Sequence, residues 1–148
     1  MPQVSNNSVA QALHEWFRGC PLLQTGSKVG VDYLADTQDQ YAIYATPSSI
    51  RTRENVLGEE VPEDIQTLNF VFASHQPYGA DTMQNIQNQE FYEGVVSWIW
   101  QQNNARRLPS IPCGTARSIV PTLTAFISDA GADTARYQIS LKLTYRRA

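Results

Sequence analysis

Thr134–Arg146, TARYQISLKLTYR, places Ala135, Tyr137, Ile139, Leu141, Leu143 and Tyr145 at every second position, with polar side chains between them. That period is the signature of a strand with one face in a core and the other open. Working backwards, Ala130–Asp133 (AGAD) reads as a turn, and Arg117–Ser128 (RSIVPTLTAFIS) is rich in β-branched residues. The two segments therefore form a long hairpin. Pro121 lies inside the first of them and suits an edge or a bulge better than a sheet centre.

The remaining strands are found the same way. Lys28–Leu34 alternates through Val29, Val31 and Tyr33, and Tyr41, Ile43 and Ala45 form a second alternating set, with Asp36–Asp39 as the turn between. Arg51–Val56 is a weaker, polar strand. Gly58–Asp64 (GEEVPED) has the composition of a solvated loop, and Leu68–Ala73 (LNFVFA) that of a central strand. Gln76–Asp81 reads as a turn.

Two helices complete the pattern. Val9, Leu13, Trp16, Phe17 and Cys20 recur at helical spacing behind the capping residues Asn6, Asn7 and Ser8. Asp81 or Thr82 caps a second helix, best defined over Phe91–Gln102, where Phe91, Val95, Trp98 and Ile99 share a face. Trp98 is expected in the core. Trp100, two residues on, points off that stripe and is a candidate subunit contact. The order of elements gives an α+β fold, a mainly antiparallel β-sheet with two principal helices packed on one face, as one domain over residues 1–148.

Composition narrows the function classes. Of the 148 residues 17% are charged, below the usual quarter, and the net charge is −3. This argues against a dedicated nucleic-acid binder with a basic stripe. No apolar run reaches the length of a membrane span, and Met1–Ala10 lacks a basic, then apolar, leader. The chain is expected to stay in the compartment where it is made, with Cys20 and Cys113 as unbonded thiols.

The inventory of reactive groups is thin. His14 and His75 lack metal-ligand spacing, since position 18, where a zinc helix needs its second histidine, is Arg18. Glu59, Glu60, Glu63 and Asp64 read as solvated carboxylates rather than a cation site. Ser74 and His75 are strand neighbours that point to opposite faces. Cys113, with His14 or His75 as base, is the one covalent arrangement to weigh, and a small residue in a Pro/Gly loop explains it equally well. The expectation is no catalytic, cofactor-binding or metal-binding residue, and therefore no enzyme. The arginine pairs Arg106–Arg107 and Arg146–Arg147 are solvated charges able to meet phosphate or a partner carboxylate.

Three stretches, Val29–Asp36 (VGVDYLAD), Phe70–Ile99 (FVFASHQPYGADTMQNIQNQEFYEGVVSWI) and Ala135–Arg146 (ARYQISLKLTYR), together with the opening helix, resemble minor tail or minor capsid proteins of phages and prophages of Gram-positive hosts. These belong to the tail-terminator group of siphophages. The resemblance covers most of the chain and leaves Pro47–Gln66 and Leu108–Ile119 as variable loops. It implies a virion protein, assembled in the host bacterial cytoplasm, that forms a homo-oligomeric ring, commonly six-fold, on the head-proximal end of the tail. There it ends polymerisation of the tail tube protein and meets the head–tail connector, while DNA passes through without specific binding. It implies no cofactor and no membrane. A head-closure subunit without the terminator role, a small cysteine-dependent enzyme and a tryptophan-lined binding module are the alternatives. Within the polar loop, Arg51, Arg53, Glu59, Glu60, Glu63 and Asp64, with Trp100 elsewhere, are the candidate interface residues, expected to pair charges across a subunit contact.

Overall fold

The computed structural model describes residues 8–23, 29–31, 34, 40–112, 114–131 and 133–147. The elements in order are α1 (Val9–Arg18), β1 (Val29–Val31), β2 (Gln40–Ala45), β3 (Thr52–Glu54), β4 (Glu60–Pro62), β5 (Ile65–Pro77), α2 (Thr82–Asn104), β6 (Gly114–Ala130) and β7 (Thr134–Arg147). Five strands form one sheet in the order β1-β2-β5-β7-β6, and β3 and β4 form a separate two-stranded sheet. The fold is α+β, with a mostly antiparallel sheet.

The alternation in β7 does what its period demands. Ala135, Tyr137, Ile139, Leu141 and Leu143 are buried, opposite Phe70 and Phe72 of β5, and Tyr41 and Ile43 of β2 continue the same face. Both helices cover this face: Leu13 and Phe17 of α1 and Tyr92, Val95 and Ile99 of α2 join the same core. Phe17 stacks on Phe72 at 4.8 Å between ring centroids. The opposite face of β7 carries Arg136, Gln138, Ser140, Lys142 and Thr144, and Arg136 sits over the Tyr44 ring.

Several expectations are corrected. The pair β1–β2 is parallel, with Val29 opposite Tyr41, so no simple hairpin joins them. Alternation fixes which face a side chain takes and is silent on strand direction. The expected turn at Asp36–Asp39, together with Lys28, Asp32 and Tyr33 of the expected first strand, lies outside the described residues. The strand β5 runs on through Gln76 and Pro77, the first residues of the expected turn, because its ladder with β7 extends to Pro77 opposite Thr134. The segment read as a solvated loop contains β4, paired with β3 through Arg53 and Val61.

In α2 the buried line is Asn88, Tyr92, Val95 and Ile99. Tyr92, not Phe91, leads it, and Trp98 is half-buried on its flank, tilted against Trp16 at 4.6 Å. A polar residue can enter the buried line because Asn88 donates to the Pro77 carbonyl (2.6 Å). The caps match the sequence: Ser8 accepts from the Gln11 amide, and Asp81 from those of Met83 and Gln84. Gly114 opens β6 where a Cβ would run into the Arg146 carbonyl.

Candidate assembly surfaces

The polar loop of the sequence is a projecting hairpin, and its construction separates base from tip. At the base, the buried Gln66 amide donates to the carbonyls of Arg51 (2.8 Å) and Glu63 (2.9 Å) and accepts from the Arg51 N–H (3.1 Å). Arg51 also pairs with Glu63 at 3.1 Å. The Asp64 carbonyl accepts from the Arg147 amide (2.7 Å), tying the hairpin to the end of β7. The Arg51 and Glu63 side chains therefore brace the hairpin's own base, whereas Asp64 joins it through its backbone and is exposed. Arg53, Glu59 and Glu60 are exposed along its length, and Trp100 is half-exposed (46%) on the separate element α2.

The tip is a compact turn. Asn55 accepts through its side chain from the amides of Leu57 and Glu59, and its carbonyl takes the Gly58 N–H at 3.0 Å. Gly58 has φ +80°, the left-handed geometry that lets a three-residue hairpin loop close. This rigid turn holds Val56 (101% exposed) and Leu57 (77%) away from the body. Ile50, at the hairpin's approach, is likewise bare. Sequence reasoning on the charges passed over these three residues. The signal was present as two adjacent aliphatics before a glycine, Val56-Leu57-Gly58, in an otherwise polar stretch.

Edge strand β6 is the second exposed feature. Leu123, Phe126 and Ile127 are exposed on its distal half. It is also defended against strand addition: Pro121 has no N–H to offer, and four register shifts break its ladder with β7. Asn103 closes it further. Its Oδ1 accepts from the Ile119 N–H (2.9 Å), and its Nδ2 donates to the carbonyls of Ile119 and Ile99. The side-chain amide thus occupies the place of a neighbouring strand. Asn103→Ala leaves both Ile119 backbone groups without this partner and is expected to cost about 1–3 kcal/mol. Thermal melting tests this, and an unchanged melting temperature would show that the clamp adds nothing to stability.

The helix α2 ends in a Schellman motif, with the Arg107 N–H bonded to the Gln102 carbonyl and the Arg106 N–H to that of Asn103. The left-handed position, where glycine is usual, is held by Arg106 at φ 60°. A side chain there costs about 1–2 kcal/mol. The Arg107 carbonyl accepts from the Trp16 indole N–H (2.8 Å). Beyond this helix end lies an open recess of about 510 Å³ lined by Arg106, Leu108, Pro109, Ile111 and the start of β6. From Gly94 through Ser128 the chain has three arginines, Arg106, Arg107 and Arg117, and no carboxylate. Between Arg51 and Asp64 two arginines stand against five carboxylates.

Among the described residues, the groups weighed for chemistry make separate contacts. Ser74 bonds the Tyr92 hydroxyl beneath α2, and Tyr92 in turn donates to the Tyr137 carbonyl (3.0 Å). Burial pushes the Tyr92 phenol far above its ordinary range, so it remains protonated. His14 bonds the Val29 carbonyl through Nε2 (2.7 Å), whereas His75 lies in β5 opposite Arg136. Cys20 is a buried free thiol whose pKa burial raises, while Cys113 lies outside the described residues. Among the described residues no three His, Cys, Asp or Glu side chains gather to hold a metal, and no helix is long and apolar enough to cross a membrane.

No protein-family model matches the chain, and no curated protein matches it.

Proposed function

We propose that this chain is a structural subunit that closes the head-proximal end of a phage tail tube as a ring. There it ends tube polymerisation and offers its other face to the head connector. The observation that carries this reading is the β3–β4 hairpin, an arm whose hydrogen-bonded turn leaves Val56 and Leu57 exposed to solvent. Exposed aliphatics on a defined turn have no role in their own core and suit insertion into a partner. The likeness of Val29–Asp36, Phe70–Ile99 and Ala135–Arg146 to tail-terminator proteins supplies the kind of partner, a tube end and neighbouring copies.

A terminator must fit the open end of the tube on one side and fail to reproduce that end on the other. The blunted β6 edge agrees with this requirement, because it resists open-ended strand-to-strand growth. Light scattering across rising concentration tests the reading. The expected result is a monomer when dilute and one closed species of fixed size when concentrated. Filaments of unlimited length would overturn it.

A further inference from the structure

We propose that the hairpin tip of one copy seats in the recess behind the α2 C-terminus of the next, so that acidic tip and arginine-rimmed recess form the ring contact. This rests on the ring reading above and names the surfaces that make it. Three observations converge. The tip pairs two exposed aliphatics with Glu54, Glu59 and Glu60, and the recess, of mixed lining, sets Leu108, Pro109 and Ile111 beside Arg106, with Ser110 and Thr115 among them. Opposite charge across a contact both selects a partner and fixes its register.

The second observation is position. Arg146 and Arg147 at the end of β7 lie between the two surfaces. On one side they meet Ile65 and the hairpin's Asp64, and on the other Gly114 and Thr115, where the recess begins. The base of the hairpin and the recess therefore sit at one end of the sheet. A contact between two different patches can run head to tail, and where its rotation closes it makes a ring. Because Val56 is fully exposed, the tip does not occupy the recess of its own copy.

The third observation is the backbone of Arg106, held at a left-handed φ that glycine would adopt without strain. That puts an arginine, rather than a glycine, in the recess lining. A second recess, between α2 and β6, is lined by Tyr92, Val96 and Ala125 but also by Glu93, the wrong charge for this tip. A third, lined by Ile50, Leu68, Tyr145 and Arg147, lies at the base of the hairpin itself. Edge-to-edge pairing through β6 is disfavoured by Asn103, Pro121 and the register shifts.

Charge exchange in the full chain tests the pairing. Glu59→Arg with Glu60→Arg reverses the tip, and Arg106→Glu with the neighbouring Arg107→Glu reverses the charge at and beside the recess. All four positions are exposed, so melting curves should match wild type. Sedimentation at graded concentration is expected to show self-association about tenfold weaker, or worse, for each reversed pair. Combining all four changes should restore it to within about threefold of wild type. A combined variant as weak as its parents, or parents that associate normally, would overturn the pairing while leaving the ring standing. A wild-type chain that stays monomeric at every concentration, alone and with tubes, would overturn both.

Discussion

Tyr92→Ala is expected to destabilise the chain by about 4 kcal/mol, within the range for deleting a large buried aromatic. The ring is fully buried among Phe72, Phe91 and Tyr137, at 5.1–6.4 Å between centroids. Its hydroxyl also joins Ser74 to the Tyr137 carbonyl, so α2 would lose both its packing and its polar anchor on the sheet. Against a typical total of about 5–15 kcal/mol, that loss is enough to leave much of the protein unfolded on mild heating. Trp98→Ala, on the half-buried flank, is expected to cost less. Near wild-type denaturant midpoints for Tyr92→Ala would show that the core is centred elsewhere.

Tyr92→Phe separates the two contributions. It keeps the ring and removes the hydroxyl, for an expected cost of about 1–3 kcal/mol. It should also change the response to alkali. Because burial raises the phenol's pKa in the folded state, its stabilisation is fully present below about pH 10 and declines as pH rises above the unfolded value. The phenylalanine variant lacks that group, so its stability should fall less steeply above pH 10. Identical alkaline profiles would assign the effect to other tyrosines.

Val56→Asp combined with Leu57→Asp is the second large expected effect, and under the proposed function it acts on assembly instead of folding. Both side chains are bare in the isolated subunit, so melting should move within about 0.5 kcal/mol. The turn itself depends on Asn55 and Gly58, which are untouched. Burying an aliphatic side chain is worth about 1.5–3 kcal/mol, and losing two from one contact should weaken association about a hundredfold or more. Phage particles carrying the change are expected to show overlong or headless tails. Normal tails, with the variant folded and present in the particle, would remove the tip from the mechanism.

What the sequence discloses follows the strength of its periods. Six apolar residues at strict alternation made β7 legible, and helical spacing made α1 and the second half of α2 legible. The first half of α2 was obscure because Gln84–Glu90 is mostly polar and its buried member, Asn88, depends on the tertiary bond to Pro77. Strands β3 and β4 are three residues each and largely exposed, too short and too polar to carry a period. The parallel β1–β2 pair was hidden because direction leaves no mark on alternation.

The candidate site was legible in part for the same reasons. Charge drew attention to the loop, but charge alone could not divide Arg51 and Glu63, which brace each other at the base, from Arg53, Glu59 and Glu60, which face outward. The apolar tip is visible in the sequence only as two residues. Its meaning depends on a turn that leaves both of them in water.

The proposed capping of a tail tube is tested most directly by growth at capped ends. Tail tubes of the same virion would be incubated with the purified chain, washed, and then supplied with fresh tube protein under an electron microscope time course. The account predicts a ring of density at one end of each tube and no further lengthening from that end. Continued growth from both ends at the rate of untreated tubes, with the chain absent from the tips, would contradict it.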